Sequence, residues 1–109
     1  MPGKFELYKD KSDKYRFRLK AGNGEIIGTS QGYSSKNAAL NGIKSVGTNA
    51  PEEGQYAFKQ GENGKTYFSL KAKNQQVILT SQGYSSENAA KSGMKSVMKN
   101  APEAQVVEP

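Results

Sequence analysis

Cysteine and histidine are both absent from the 109 residues, and together these absences remove most of the usual reactive chemistry. Without cysteine there is no disulfide framework, thiolate metal site or thiol nucleophile, and sulfur redox chemistry is confined to methionine. Without histidine the commonest acid/base near neutrality is missing. The only aspartates, Asp10 and Asp13, fall in one expected turn, and no Asp/Glu grouping has the spacing of a metal site. Apolar residues are scarce as well, at 34%. No apolar run approaches the ~20 residues of a membrane span, and Met1-Pro2-Gly3-Lys4 opens into a strand-like segment without a signal-type stretch. The expectation is a cytoplasmic protein with no membrane contact.

What the chain does have is ten aromatics, six Tyr and four Phe, enough for a modest core, and a net charge of +6 from sixteen basic and ten acidic residues. That charge favours encounter with polyanions without specifying a function. The length fits one domain.

The dominant feature is an internal repeat. Offset by 51 positions, Thr29–Glu52 aligns with Thr80–Glu103 without a gap and with 18 identities in 24, TSQGYSSKNAALNGIKSVGTNAPE against TSQGYSSENAAKSGMKSVMKNAPE. Upstream the same offset pairs Phe5 with Tyr56, Leu7 with Phe58, Phe17 with Phe68, Leu19 with Leu70 and Ile27 with Ile78. Alternating segments (FELYKD and YRFRLKA, then QYAFKQ and TYFSLKA) predict half-buried strands. Lys11-Ser12-Asp13-Lys14 and Gly61-Glu62-Asn63-Gly64 suit one hairpin turn and Gly22-Asn23-Gly24 the next, with a third strand near EIIGTS and QVILTS. A helix then begins at Ser34-Ser35 and at Ser85-Ser86, serine being a good first-turn cap. It buries Ala39, Ile43 and Val46 (Ala90, Met94 and Val97 in the second copy) and ends near Asn49 or Asn100, where a left-handed residue and a proline stop it.

A unit of about 51 residues buries too little apolar surface to be stable alone. The fold class expected is therefore α+β: a tandem duplication of a βββα unit, repeat one at 1–51 and repeat two at 52–109, sharing one antiparallel sheet. Both helices lie on one face, related by a pseudo-twofold axis, and Gln105-Val106-Val107 is free to return to the sheet. SQGYSS followed by NAA, a glycine and Lys-Ser-Val, after a YRFRLKA-type strand and an Asn-Gly turn, resembles the YegP-like family of small uncharacterised bacterial and archaeal proteins, over nearly the whole chain and twice. The resemblance implies a βββα repeat, paired as a homodimer or in tandem, with exchange of the terminal strand. It implies no activity and no ligand residues. Gly28 and Gly47, where the second copy has Leu79 and Met98, suggest a lighter core in the first copy.

Two surfaces are candidates. Lys14, Arg16, Arg18 and Lys20 recur at period two, and with Tyr67 of the second copy they outline a polyanion-binding face. The charge is uneven: nine basic minus four acidic residues give +5 up to Pro51, and seven minus six give +1 beyond it. The plainer reading is a solvated sheet face. Ser34, Ser35, Ser85 and Ser86 beside Gly32 and Gly83 offer an anion site at the helix starts, against the plainer reading of turn and cap. Gly42 and Gly93, inside the helices, imply a close approach by a neighbour. A Ser35/Lys36 dyad fails because Lys36 becomes Glu87 and adjacent helical residues diverge. The sequence thus predicts no enzyme, no catalytic or metal residues and no cofactor. It predicts a monomeric binding or interaction module of uncharacterised role whose partner, protein or nucleic acid, is not specified, the alternative being weak RNA or single-stranded nucleic-acid binding through the basic and aromatic sheet face.

Overall fold

The structure, a computed structural model, describes residues 3–108. The elements follow the repeat: β1 (Lys4–Lys9), β2 (Tyr15–Lys20), β3 (Ile26–Thr29) and α1 (Lys36–Asn49), then β4 (Tyr56–Gln60), β5 (Thr66–Lys71), β6 (Val77–Thr80) and α2 (Glu87–Asn100), and last β7 (Gln105–Val107). Short 3-10 turns, Glu53–Gln55 and Ala101–Glu103, precede β4 and β7. All the strands form one sheet in the spatial order β4-β5-β6-β3-β2-β1-β7.

Alternation in the strands becomes burial through register. Phe5 pairs with Leu19 and Leu7 with Phe17, which puts all four on the helix-covered face, where they are buried. Tyr56 with Leu70 and Phe58 with Phe68 repeat the arrangement. The first hairpin is held by Asp10, whose Oδ1 accepts the backbone N–H groups of Ser12 and Lys14 and supports Asp13 at φ 62°. A buried serine after each third strand has the same task in both copies: Ser30 Oγ accepts from Phe17 N–H and Ser81 Oγ from Phe68 N–H, both at 2.9 Å.

The helices begin one residue later than expected. Ser35 and Ser86 are the caps, each accepting a backbone N–H three residues on (Ala38, Ala89) at 3.1 Å. Nor is there a left-handed residue at the far end. Asn49 and Asn100 stay helical and donate to the carbonyls of Ser45 and Ser96, the caps Ala50 and Ala101 are right-handed, and proline alone stops the turn. Gly42 and Gly93 do admit a neighbour. Tyr33 stacks on Phe17 at 6.0 Å and Tyr84 on Phe68 at 6.1 Å, and each tyrosine lies against its helical glycine.

The two meanders meet where Thr29 pairs with Thr80, and all the buried apolar side chains belong to one cluster. Gly28 is not lighter packing at this junction but a hole that is filled: a Cβ there would lie 2.7 Å from Leu79 Cδ2, and Leu79 is fully buried. Each helix crosses the seam, α1 packing on β2, β5 and β6 and α2 on β5 and β3. The end of α2 therefore reaches the start of β1, where Asn100 lies against Gly3, and β7 continues beside β1 in the same direction. The sheet is consequently mixed, not wholly antiparallel as expected, and the terminal strand is exchanged between repeats.

Two predictions concern these close approaches. Gly28→Ala should lower unfolding stability by about 1–3 kcal/mol and Leu79→Ala by about 2–5 kcal/mol. In the double variant the new methyl group occupies part of the space vacated, so the losses should fall short of their sum by more than ~0.5 kcal/mol in denaturant titrations; simple additivity would mean the seam is not coupled. Gly42→Ala gains up to ~1 kcal/mol of helix propensity, yet its Cβ would stand 2.6 Å from Tyr33 Oη and 3.0 Å from the Phe17 ring, so a net loss of stability is expected.

Candidate functional site

The sheet face opposite the helices carries the basic stripe, and the stripe is largely neutralised from within. Glu6, on β1 between the cations of β2, is only 7% exposed. Its Oε1 accepts from Arg18 Nε at 2.7 Å and lies 3.2 Å from Lys20 Nζ, with Lys4 Nζ 3.9 Å from its Oε2. The Arg18 guanidinium also sits over the Tyr8 ring, 4.8 Å from its centroid. Arg16 Nε donates to Asp10 Oδ2. The Arg18 hydrogen bond, helped by Lys20, holds the Glu6 carboxyl below the usual range although burial opposes it; Arg16 and the Lys14 and Ser12 amides do the same for Asp10. Of the four stripe residues, Arg16, Arg18 and Lys20 thus face carboxylates, while Lys14 is exposed beside Gly32.

Tyr67 is not part of this cluster. It lies on β5, with β6 and β3 between it and β2, a separation of roughly 14 Å at ordinary strand spacing. Its hydroxyl accepts from Asn63 Nδ2 at 3.1 Å. Tyr67 thus stands apart from the stripe on the same face of the sheet, because offset 51 puts it at the counterpart of Arg16, across the pseudo-axis from it.

At the helix starts, the Ser35 and Ser86 hydroxyls accept from the Ala38 and Ala89 backbone N–H groups. Ser34 and Ser85 are exposed in the preceding bend. Lys36, half of the rejected dyad, instead lies 2.7 Å from Glu108. Burial raises the Tyr33, Tyr56 and Tyr84 phenols, with Glu25 adding to the effect at Tyr84, so these hydroxyls stay protonated; Tyr56 Oη donates to the Ala50 carbonyl at 2.8 Å. Among the described residues no group of three or more Asp or Glu could hold a metal, and no helix is long and apolar enough to cross a membrane.

Sequence reasoning missed the other edge of the sheet. β7 covers β1, but β4 is the last strand on its side. The contrast between counterparts is direct: Leu7 is 3% exposed and Phe58 36%. Phe58, Lys59, Gln60 and Thr66 form an open groove with Ser86 and Glu87 at the start of α2. Strand alternation predicts an inward Phe58, as is found, but says nothing of whether a further strand covers it.

The chain has well-matched relatives. The domain of unknown function DUF1508 matches it twice, over residues 10–56 and 62–108. It is 54% identical over 100 residues to a UPF0339 protein of Shewanella oneidensis, covering 92% of this chain and 91% of the relative. To the UPF0339 protein YegP of Escherichia coli it is 49% identical over 100 residues, with the same coverage. The solution NMR structure of YegP, described as a protein of unknown function, superposes with a TM-score of 0.94 at 46% identity, covering 99% of this chain and 93% of the other.

The Glu6 cluster yields a pH prediction. Glu6→Gln should cost about 1–2 kcal/mol at neutral pH, a charge-assisted hydrogen bond discounted for its partly exposed cations. A carboxyl lowered by folding stabilises above its ordinary range and loses that contribution as pH falls through the lowered value. The gap between wild type and Glu6→Gln in urea titrations should therefore close on acidification from pH 7 towards pH 3. A gap independent of pH would show that the carboxylate charge is not what matters.

Proposed function

The chain belongs to the UPF0339 (YegP) family and carries its domain of unknown function twice, and on that premise we propose that it is a small non-enzymatic module that binds a protein partner, as a monomer in the cytoplasm. The observation that carries this reading is the uncovered outer edge of β4, where a phenylalanine 36% exposed borders a helix start. The polar groups that chemistry would need have other tasks: Ser35 and Ser86 cap helices, and Glu6 and Asp10 hold arginines. Those same ion pairs draw the basic stripe away from phosphate recognition, so binding at the groove is preferred to binding of nucleic acid.

The test compares wild type with Phe58→Asp in binding to a partner captured from its own cells and then purified. Phe58 still packs against the buried Phe68, so the thermal midpoint of the variant is measured alongside, and a folded Phe58→Asp is the one compared. Saturable binding weakened about tenfold or more by Phe58→Asp is expected for a groove anchor. Binding indifferent to Phe58, or substrate turnover by the isolated chain, would overturn the reading.

A further inference from the structure

The molecule contains its own template for what the vacant edge accepts. On the closed side β7 runs parallel to β1, with Gln105 beside Lys4, Val106 beside Phe5 and Val107 beside Glu6. The next residue, Glu108, places its carboxylate 2.7 Å from Lys36 Nζ, on the first residue of α1. At offset 51 the same slot on the open side falls at Gln55, the end of the 3-10 turn, and at Tyr56 and Ala57 of β4, with the Tyr56 N–H bonded to the Glu53 carbonyl so that the free edge runs from Ala57; the residue that opens α2 is Glu87. Strand edge, apolar floor and helix start are all present, with the charge at the helix start reversed.

The vacancy follows from tandem fusion. α2 delivers the chain to the outer side of β1, where a free tail can add a strand. α1 delivers it to β4 itself, and the segment after α1 is used up as the first strand of the second repeat. Among the described residues no strand pairs with the outer edge of β4.

On the strength of the binding role described above, we propose that the outer edge of β4 takes an extended segment of a partner protein, laid parallel to it as β7 lies on β1, with a lysine or arginine of that segment set against Glu87. Backbone hydrogen bonds to the edge supply the general attraction, as in strand addition elsewhere. An aliphatic residue beside Tyr56 takes the place of Val106 and begins the cover over Phe58. The reversed charge selects the occupant. The tail of a second copy would bring Glu108 against Glu87, carboxylate on carboxylate, so the chain's own C-terminus is disfavoured. Lys91, one turn along, lies 3.9 Å from Glu87 with both side chains more than half exposed, a contact too weak to occupy it.

The experiment titrates intact, isotope-labelled protein with two peptides: its own 103–109 segment and the same segment with Glu108→Lys. The lysine peptide should shift the amides of Tyr56–Gln60 and of Glu87 and bind about threefold or more tighter than the native peptide, a preference that added salt reduces. In Glu87→Lys, which copies the residue already present at Lys36, the order of the two peptides should reverse. The proposal is overturned by no shifts along β4 at about 1 mM peptide, where even a millimolar site is half filled. Equal binding of both peptides, an order unchanged in Glu87→Lys, or sedimentation showing that a second copy fills the edge would overturn it equally. If it falls while Phe58→Asp still weakens partner binding, the groove remains the binding surface with a different occupant; if Phe58 proves irrelevant, the binding role falls with it.

Discussion

The side chain of Leu79 lying over Gly28 is the contact on which the two repeats depend for becoming one protein. The strands that meet at the seam have four residues each and pair through Thr29 and Thr80, so backbone hydrogen bonding across it is thin. Cohesion must come from side chains, and a perfect twofold axis would frustrate them. Two leucines would collide there, and two glycines would leave a void in a region that is otherwise fully packed. The divergence of these positions is thus required by the symmetry that the rest of the repeat preserves. With the seam closed, each helix can lie across it and bury Ala39, Ile43 and Val46, or Ala90, Met94 and Val97, against strands of both copies.

That crossing also determines the edges. Because α2 ends beside the start of β1, the tail needs only a 3-10 turn to add β7. Gly47, which stands where the second copy has Met98, borders this passage, and its nearest non-local atom is the Ala101 carbonyl. Here, unlike at Gly28, the space is left open: a Cβ would reach only ordinary contact with the Ala101 carbonyl at 3.8 Å, and Gly47 lines a cleft with Phe5, Ile43 and Ala104. The lightness inferred from sequence is therefore filled by Leu79 at Gly28 and left as open surface at Gly47.

Much of this architecture was legible in the residues. A repeat with 18 identities in 24 announces duplication, period-two segments announce strands, and the i, i+4, i+7 stripes are the faces that end up buried. The helical glycines announced a close neighbour, and Tyr33 and Tyr84 occupy that space. Strand direction at the tail was not legible, since parallel pairing depends on where α2 ends in three dimensions. Nor was the fate of the basic stripe: Glu6 and Asp10 lie on the alternation and turn of β1, and only the register of β1 against β2 shows that Glu6 faces Arg18. Tyr67 was grouped with the arginines because offset 51 makes it their counterpart, yet in a twofold arrangement counterparts lie on opposite sides of the axis. The open β4 edge left no local signal at all, because an uncovered strand is spelled like a covered one.

What remains identical between the copies serves needs that both have. The capping serine, the helical glycine beneath the tyrosine and the buried serine after the third strand are each used twice in the same way. Two of the differences fall where the single chain cannot be symmetric: Gly28 and Leu79 at the seam, and Lys36 and Glu87 at the two strand slots. Lys36 is matched to a glutamate that the chain itself supplies. Glu87 occupies the equivalent place beside the uncovered edge of β4, in the first turn of α2, where a carboxylate also complements the helix dipole. A charge opposite in sign to its twin's is what the slot needs if its occupant is to be something other than the chain's own tail.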